Sequence, residues 1–338
     1  MDFPVFLSRL KHKYSKACFV LPVLIGIALV WGLAERWVRI DHQAKYENNI
    51  QVGQELADFL DREVRETVRY GDIYVQALRR AYVGGNRSGD AVKRLIAAMP
   101  YDTEKISHVT LLTAEGTPVI SSDRPAKTGM KPFDRDYFQF ARDHEGDSVY
   151  VSKTQLGRVS GKTIMRVVRR ITLTDGSFGG VIFAAIEIKK IQEMFKGLGL
   201  VPNHALTVLG TDRIPRASSR ADPASLLGSL DKAGLWQAME KSDHGVLPVL
   251  DQADGATRFH AFHRVAGYPL IAVSTIESAE TTRGLARYNK RPYRMALMAT
   301  VIILILVFAF YRLVQAKNLL KDELAARLKA ENEGQEKS

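Results

Sequence analysis

Hydrophobic positions along this chain fall into three kinds of pattern, and each predicts a different element. Two uncharged runs come first, residues 17–34 and 295–311, with 18 and 17 residues respectively. Each approaches the ~20 apolar residues that cross a bilayer as a helix. Trp31 and Trp37 flank the first run, and Tyr293 and Tyr311 the second, as suits rings placed at a membrane interface. A cleaved signal peptide fits the first run less well, because no small-residue cleavage site follows Ala34. Between the runs, Leu56, Leu60, Val64, Val68, Gly71, Val75, Leu78 and Tyr82 recur at steps of three and four. That spacing predicts one amphipathic helix over 41–82, with Gly84-Gly85 ending it and a shorter helix reaching about Ala98.

From Ile106 the period changes to two. A hairpin is expected around Glu115-Gly116, a short helix over "PFDRDYFQFARD", and a second hairpin over 162–188 around Asp175-Gly176. Its apolar face reads Met165, Val167, Ile171 and Leu173, with Arg169 in the middle. A two-residue turn pairs position 169 with 182 and continues the face through Phe178, Gly180, Ile182, Ala184 and Ile186, with Gly180 and Ala184 leaving room beside the guanidinium. Lys162, Ile164, Arg166, Val168, Arg170 and Thr172 form the other, mixed face, read as partly wet. A buried guanidinium keeps its proton, so Arg169 requires an anionic partner, either another side chain such as Asp136 or a ligand.

The scheme then repeats in smaller form. Strands are expected at "HALTVLG" and "RIPRASS", a helix at "PASLLGSLDKAGLWQAMEKS", and strands at "GVLPVL", "ATRFHAFHRV" and "PLIAVSTIE", with a further turn at Asp254-Gly255. Helices and antiparallel strands segregated in this way predict an α+β fold with one sheet per domain. The expected organisation is a cytoplasmic N-terminus over 1–16, a first span over 17–37 and a long helix over 41–82. A membrane-distal domain over 83–198 and a membrane-proximal one over 199–285 follow, then a second span over 295–314 and a helical tail over 315–338.

Charge orients this arrangement. Arg9, Lys11, Lys13 and Lys16 precede the first span and place the N-terminus in the cytoplasm, which puts the region between the spans outside. Arg283, Arg287, Lys290, Arg291 and Arg294 crowd the outer end of the second span, against the rule, but the rule is weak for long translocated loops. The net charge of +11 suits anionic ligands or lipid headgroups, since no nucleic-acid motif accompanies it. Cys18 is the single cysteine, so an intramolecular disulfide is excluded.

Candidate chemistry is sparse. "GRVSGKT" places three residues between Gly157 and the Gly161-Lys162 pair where a phosphate-binding loop needs four, and it leads into a strand. His260 and His263 fall on opposite faces of a strand and have no neighbouring cysteine or carboxylate cluster in sequence. No nucleophile–base arrangement is evident. No enzyme activity, cofactor or metal is therefore expected. The candidate binding cleft joins Arg135, Asp136 and Tyr137 on the short helix, Tyr150 on the following strand, and Arg169: a charged anchor with aromatic walls.

The run "FDRDYFQFARDHEGDSVYVSKTQLGRVSGKTIMRVVRRITLTDGSFGGVIFAAIEI", together with "DGATRFHAFHRVAGYPLIAVS", resembles the double Cache sensor modules of bacterial receptors. These are tandem PAS-like domains held outside the membrane, and the likeness is greatest to the sensor halves of diguanylate cyclases and sensor histidine kinases. It covers residues 41 to 285 with their flanking spans. It implies a two-pass inner-membrane receptor with a periplasmic region that binds a small-molecule ligand, while the long helix from Asp41 running directly out of a span, with a leucine-bearing tail on the other side, predicts a parallel homodimer. The amino-acid-binding branch of that family carries an Arg, a spacer and Trp-Tyr on the short helix, and an Asp on the last strand. Here Arg135 is followed by Tyr137-Phe138, and "GVIFAA" offers no acid before Glu187, which favours an organic anion. In such receptors the second span leads to an output domain. The 27 residues from Arg312 to Ser338, with Leu313, Ala316, Leu320, Leu324 and Leu328 along one helix face, leave no room for one. A separate cytoplasmic kinase or cyclase partner is the expectation. The alternatives are a truncated receptor half and a membrane interaction protein without signalling.

Overall fold

The computed structural model describes residues 3–85, 87–122, 132–158, 160–200, 202–220, 223–250, 256–278 and 290–335. The chain divides into two units, Met1–Tyr46 with Arg283–Ser338, and Glu47–Thr282.

In the first unit, helix α1 (Phe3–Gly84) begins, and the C-terminal helix runs over Lys290–Gln335. Both carry stretches long and apolar enough to cross a membrane. They meet through Trp31, whose Nε1 donates to Thr300 Oγ1 at 3.1 Å and whose ring stacks on Tyr293. The Tyr293 hydroxyl donates to Glu35 at 2.7 Å. α1 has no break between the apolar run and the amphipathic stripe, so the expected span and long helix are one element.

The second unit holds the rest of α1 and two antiparallel sheets. After α2 (Gly89–Ala98) come β1 (His108–Leu112), β2 (Pro118–Ser121), a 3-10 turn, α3 (Asp136–Asp143), β3 (Tyr150–Val151), β4 (Gln155–Leu156), β5 (Thr163–Thr172) and β6 (Phe178–Glu187). The first sheet runs β2-β1-β6-β5-β3, with β4 also on β5. Helix α4 (Ile188–Gly197) follows, an element the sequence pattern above does not include; it buries Ile188, Ile191 and Phe195. The second sheet runs β8-β7-β11-β10-β9, from β7 (His204–Gly210), β8 (Pro215–Ser218), β9 (His244–Leu250), β10 (Thr257–Arg264) and β11 (Leu270–Glu277). The single helix expected between β8 and β9 is two, α5 (Pro223–Lys232) and α6 (Leu235–Lys241). Gly234, at φ +70°, takes the left-handed conformation that separates them. The C-terminal helix is α7. The expected Asp254-Gly255 turn lies outside the described residues.

The stripe on α1 packs on both sheets. Leu60, Val64 and Val68 join Met165, Val167, Ile186, Leu206 and Val208, while Val75, Leu78 and Tyr82 join Val109, Leu111, Ile171 and Ile182. Burying this many large apolar side chains, each contributing ~1.5–3 kcal/mol, fixes the helix to the sheets. The opposite face of the first sheet is covered by α3 through Tyr137, Phe138 and Ala141 against Ile164, Val168, Val181, Phe183 and Ala185. The face read as partly wet is therefore a second core.

Candidate functional site

Three arginines of β5 have three different fates, set by the alternation of the strand. Arg169 faces α1. Its Nε and Nη2 donate to the two carboxylate oxygens of Asp72 at 2.7 and 2.8 Å, and its Nη1 reaches the backbone and side chain of Asp147. Burial presses this guanidinium's pKa down, but the hydrogen bonds and charge of Asp72, with that of Asp147, outweigh it and leave the pKa raised. The anionic partner inferred from sequence is thus a pair of native carboxylates, neither of them Asp136, and Arg169 stands on the face away from the cleft described below. Arg170 faces α3 and donates to the carbonyls of Ala141 and Arg142 at 2.8 and 2.9 Å. These belong to the last turn of the helix, where a cation is favoured.

Arg166 differs from both. It is 4% exposed, and its Nε and Nη1 are buried without a hydrogen-bond partner among the described residues. Its guanidinium carbon lies 4.9 Å from the centre of the Tyr137 ring and 5.4 Å from that of Phe183. Burial lowers its pKa, with Arg135 and Arg158 acting in the same direction and Tyr137 and Asp136 against them. Strand register explains its setting: Ala185 on β6 pairs with Arg166 on one side and His108 on the other. The small side chain between them leaves space above the sheet.

That space is a cleft, part of it open to solvent, whose walls include His108, Thr110, Arg135, Tyr137, Arg158, Ser160, Arg166 and Phe183. β1 contributes His108 and Thr110 by the same alternation that sends Val109 and Leu111 to α1. Arg135, immediately before α3, donates to Gln155 Oε1 at 2.5 Å, and Arg158 pairs with Asp134. No carboxylate side chain is among the described residues lining the cleft.

Of the residues singled out from sequence, Arg135 and Tyr137 line this cleft. Asp136 does not line it: its Oδ2 accepts from the Tyr150 hydroxyl at 3.0 Å and the Lys153 amide at 2.9 Å. Tyr150 stacks on Phe140 at 4.4 Å. Its phenol pKa is raised by burial and by the Asp136 charge. Arg166, His108, Arg158 and Ser160 were not singled out. The signal for Arg166 was its offset of three from Arg169, which puts the two on opposite faces, combined with the aromatic helix "DYFQFA" that had to cover one of them.

No family model matches the sequence, and no curated protein matches it. Solved structures do resemble the fold. The extracellular domain of rpHK1S-Z16, described as a histidine kinase, matches with a TM-score of 0.54 at 21% identity, covering 70% of this chain and 97% of that one. The ligand-binding domain of the Pseudomonas fluorescens chemoreceptor CtaA, in complex with L-isoleucine, gives 0.51 at 15% identity over 73% and 98% of the two chains. The ligand-binding domain of Mlp24, with asparagine, gives 0.50 at 13% over 72% and 96%. The fold is that of Cache-type sensor ligand-binding domains.

Proposed function

We propose that this protein is a two-pass membrane receptor, rather than an enzyme, whose membrane-distal domain binds a small organic anion outside the cytoplasm and passes a signal across the membrane. The observation that carries the reading is Arg166, a buried guanidinium with unpartnered nitrogens in a cleft that also holds Arg135 and Arg158 and no described carboxylate. A buried charge without a counter-ion is costly. A ligand carboxylate would compensate it with the two-point contact a planar guanidinium makes, while Tyr137 and Phe183 close over its apolar part. The structural relatives bind L-isoleucine and asparagine. A zwitterion needs an acceptor for its ammonium group, and the described lining offers no carboxylate for it, so a mono- or dicarboxylate without an amino group is the better fit.

Transmission follows from continuity. The sheet that carries the cleft packs on α1, and α1 continues without interruption into the apolar run. A ligand that prefers one arrangement of sheet and helix shifts the equilibrium between arrangements by that difference in affinity.

The test is thermal-shift and calorimetric titration of the purified full chain in detergent with citrate, succinate, malate, pyruvate and acetate, and with amino acids for comparison. At least one carboxylate is expected to raise the melting temperature, and Arg166→Ala to weaken its binding by roughly 30-fold or more, since truncating one side of a buried charge pair costs ~2–5 kcal/mol. Arg166→Lys restores only part. Without ligand, Arg166→Ala leaves the protein as stable as wild type or more so. Preferential binding of zwitterionic amino acids, or carboxylate binding unaffected by Arg166→Ala, overturns the reading.

A further inference from the structure

A second set of polar groups lies against the membrane-proximal sheet, and nothing in the anion cleft accounts for it. One turn of α1 carries Asp58 and Asp61, and β10 carries His263. Ligand atoms from these three side chains all lie within 4.8 Å of one another. His263 Nδ1 stands 3.8 Å from Asp61 Oδ2. His244 pairs with His263 across β9 and β10, with the two rings stacked at 5.2 Å. His244, His263, Asp58 and Glu55 line one open recess. Asp61 is 1% exposed, and its Oδ1 is buried without a partner among the described residues.

The helix stripe explains how an acid came to be buried here. Asp61 follows Leu60 and sits four residues after Ala57, both fully buried, so the turn of α1 that packs on this sheet carries the carboxylate with it. The same phase places Gly53 against Ala261 and Ile276. A sequence reading that weighs His263 only against His260 misses these acids, because they stand about 200 residues earlier. His260 is on the other face of β10, held by Ser229 and Thr275.

We infer that Asp58, Asp61 and His263 form a binding site for a divalent transition-metal ion of the zinc type, with His244 or water completing the coordination. Imidazole with carboxylate is a donor set that suits zinc and its first-row neighbours, whereas calcium and magnesium take oxygen alone. A tetrahedral ion with ligands at about 2.1 Å holds its donors about 3.4 Å apart. Closing the present spread to that value calls for rotation of the Asp58 and His263 side chains, both of which are partly exposed. Asp61 approaches His263 through Oδ2, which Arg65 also holds, while its buried Oδ1 has no partner among the described residues, so the carboxylate keeps an oxygen to spare for an ion. The ion competes with two cations: Arg62, 2.6 Å from Asp58, and Arg65, which pairs with Asp61. Glu55, beside them in the recess, accepts from Gln51 at 2.9 Å. Occupation ties α1 to β10 by bonds between metal and side chain, so the metal acts on the same helix that leaves the cleft for the membrane run.

The test is titration of the purified full chain in detergent, stripped with a chelator, using Co²⁺ followed by visible absorption and then Zn²⁺ as competitor. Wild type is expected to give the intense absorption of a tetrahedral Co²⁺ site, bleached by one equivalent of Zn²⁺. His263→Gln and Asp58→Asn, changes at partly exposed positions, are expected to lose the band or weaken binding at least ~100-fold. His204→Gln, a histidine outside this cluster, leaves it unchanged, and circular dichroism checks that each variant is folded. A band that survives His263→Gln and Asp58→Asn, an absent band in folded wild type, or displacement of Co²⁺ by Ca²⁺ or Mg²⁺ as readily as by Zn²⁺ overturns the assignment.

Discussion

Arg166 and Arg169 stand three residues apart on one strand, point to opposite faces, and answer opposite questions about buried charge. Arg169 is paired on both sides of its fork with Asp72 and has Asp147 beside it. Removing it strands a carboxylate that is 5% exposed. Arg169→Ala is therefore expected to cost ~3–5 kcal/mol of stability, whereas replacing both partners at once, as Arg169→Met with Asp72→Leu, costs much less. A double-mutant cycle by denaturation measures the difference, and additive losses would show that the two side chains do not interact. Sequence made the need for an anion near Arg169 legible, because arginine does not shed its charge. Its partner was hidden: Asp72 lies 97 positions earlier, inside the apolar stripe between Val68 and Val75, where it reads as a polar interruption. At His260 burial, with the charges of Arg258 and Arg220, lowers the pKa from 6.5 to about 4. Folded protein thus keeps this imidazole neutral where the unfolded chain takes up a proton. Stability is unaffected above about pH 6.5 and falls as pH drops from there towards 4, by up to about 3 kcal/mol for this group. His260→Gln is expected to flatten that part of the pH–stability curve, and an unchanged slope would remove His260 from the account.

At the scale of elements, the β5–β6 hairpin was expected to turn on two residues and instead turns on three. The Leu173 amide donates to the Ser177 carbonyl, and the Leu173 carbonyl accepts from the Gly176 amide, with Gly176 at φ +85°. That extra residue would shift the register, yet Arg169 pairs with Ile182 as the shorter turn predicts. A bulge at Gly179, where Thr172 pairs with Phe178 and Ile171 with Gly180, restores it. Gly180 is needed for a reason other than room beside Arg169: it sits at φ +119°, and a Cβ there would lie 2.0 Å from the Leu112 carbonyl oxygen of the neighbouring strand. Gly176 has the same sign of φ but open space around it. Gly176→Ala is expected to cost about 1 kcal/mol through backbone strain alone, and Gly180→Ala more than ~3 kcal/mol because β1 and β6 must also separate. Equal effects in denaturation would show that the bulge relaxes freely. The alternation that gives these strands their two faces was legible in sequence. The bulge was not, because adjacent glycines satisfy either register. Nor was α4, whose Ile188, Ile191 and Phe195 follow the strand without a capping residue to mark its start.

For the whole molecule, the proposal depends on the two apolar helices crossing one membrane, and the expected homodimer brings α1 against a second copy of itself. Under the positive-inside rule the N-terminal basic cluster favours a cytoplasmic N-terminus, while the basic residues around Arg291 oppose the corresponding direction for the second apolar helix, so topology is tested independently of ligand. A reporter fused after Ser338 is expected in the cytoplasm and one inserted at Gly84-Gly85 outside; the same side for both would end the two-pass reading. Dimerisation makes a sharper demand on α1, because one of its faces is already taken. Gly53, Ala57 and Leu60 are buried, with Gly53 against Ala261 and Ile276 of the second sheet, whereas Ala44, Asn48, Gln51 and Glu55 are exposed at alternating steps of four and three. A parallel homodimer packed along that free face brings equivalent positions of two helices together at helical intervals. Single cysteines at 44, 48, 51 and 55 in a Cys18→Ala background are then expected to form disulfide-linked dimers under mild oxidation in membranes. Those at 53, 57 and 60 are expected to remain monomeric. Uniform crosslinking at all seven positions would indicate collision in the bilayer rather than a fixed interface, and none at any of them would mean that α1 transmits the signal within one chain.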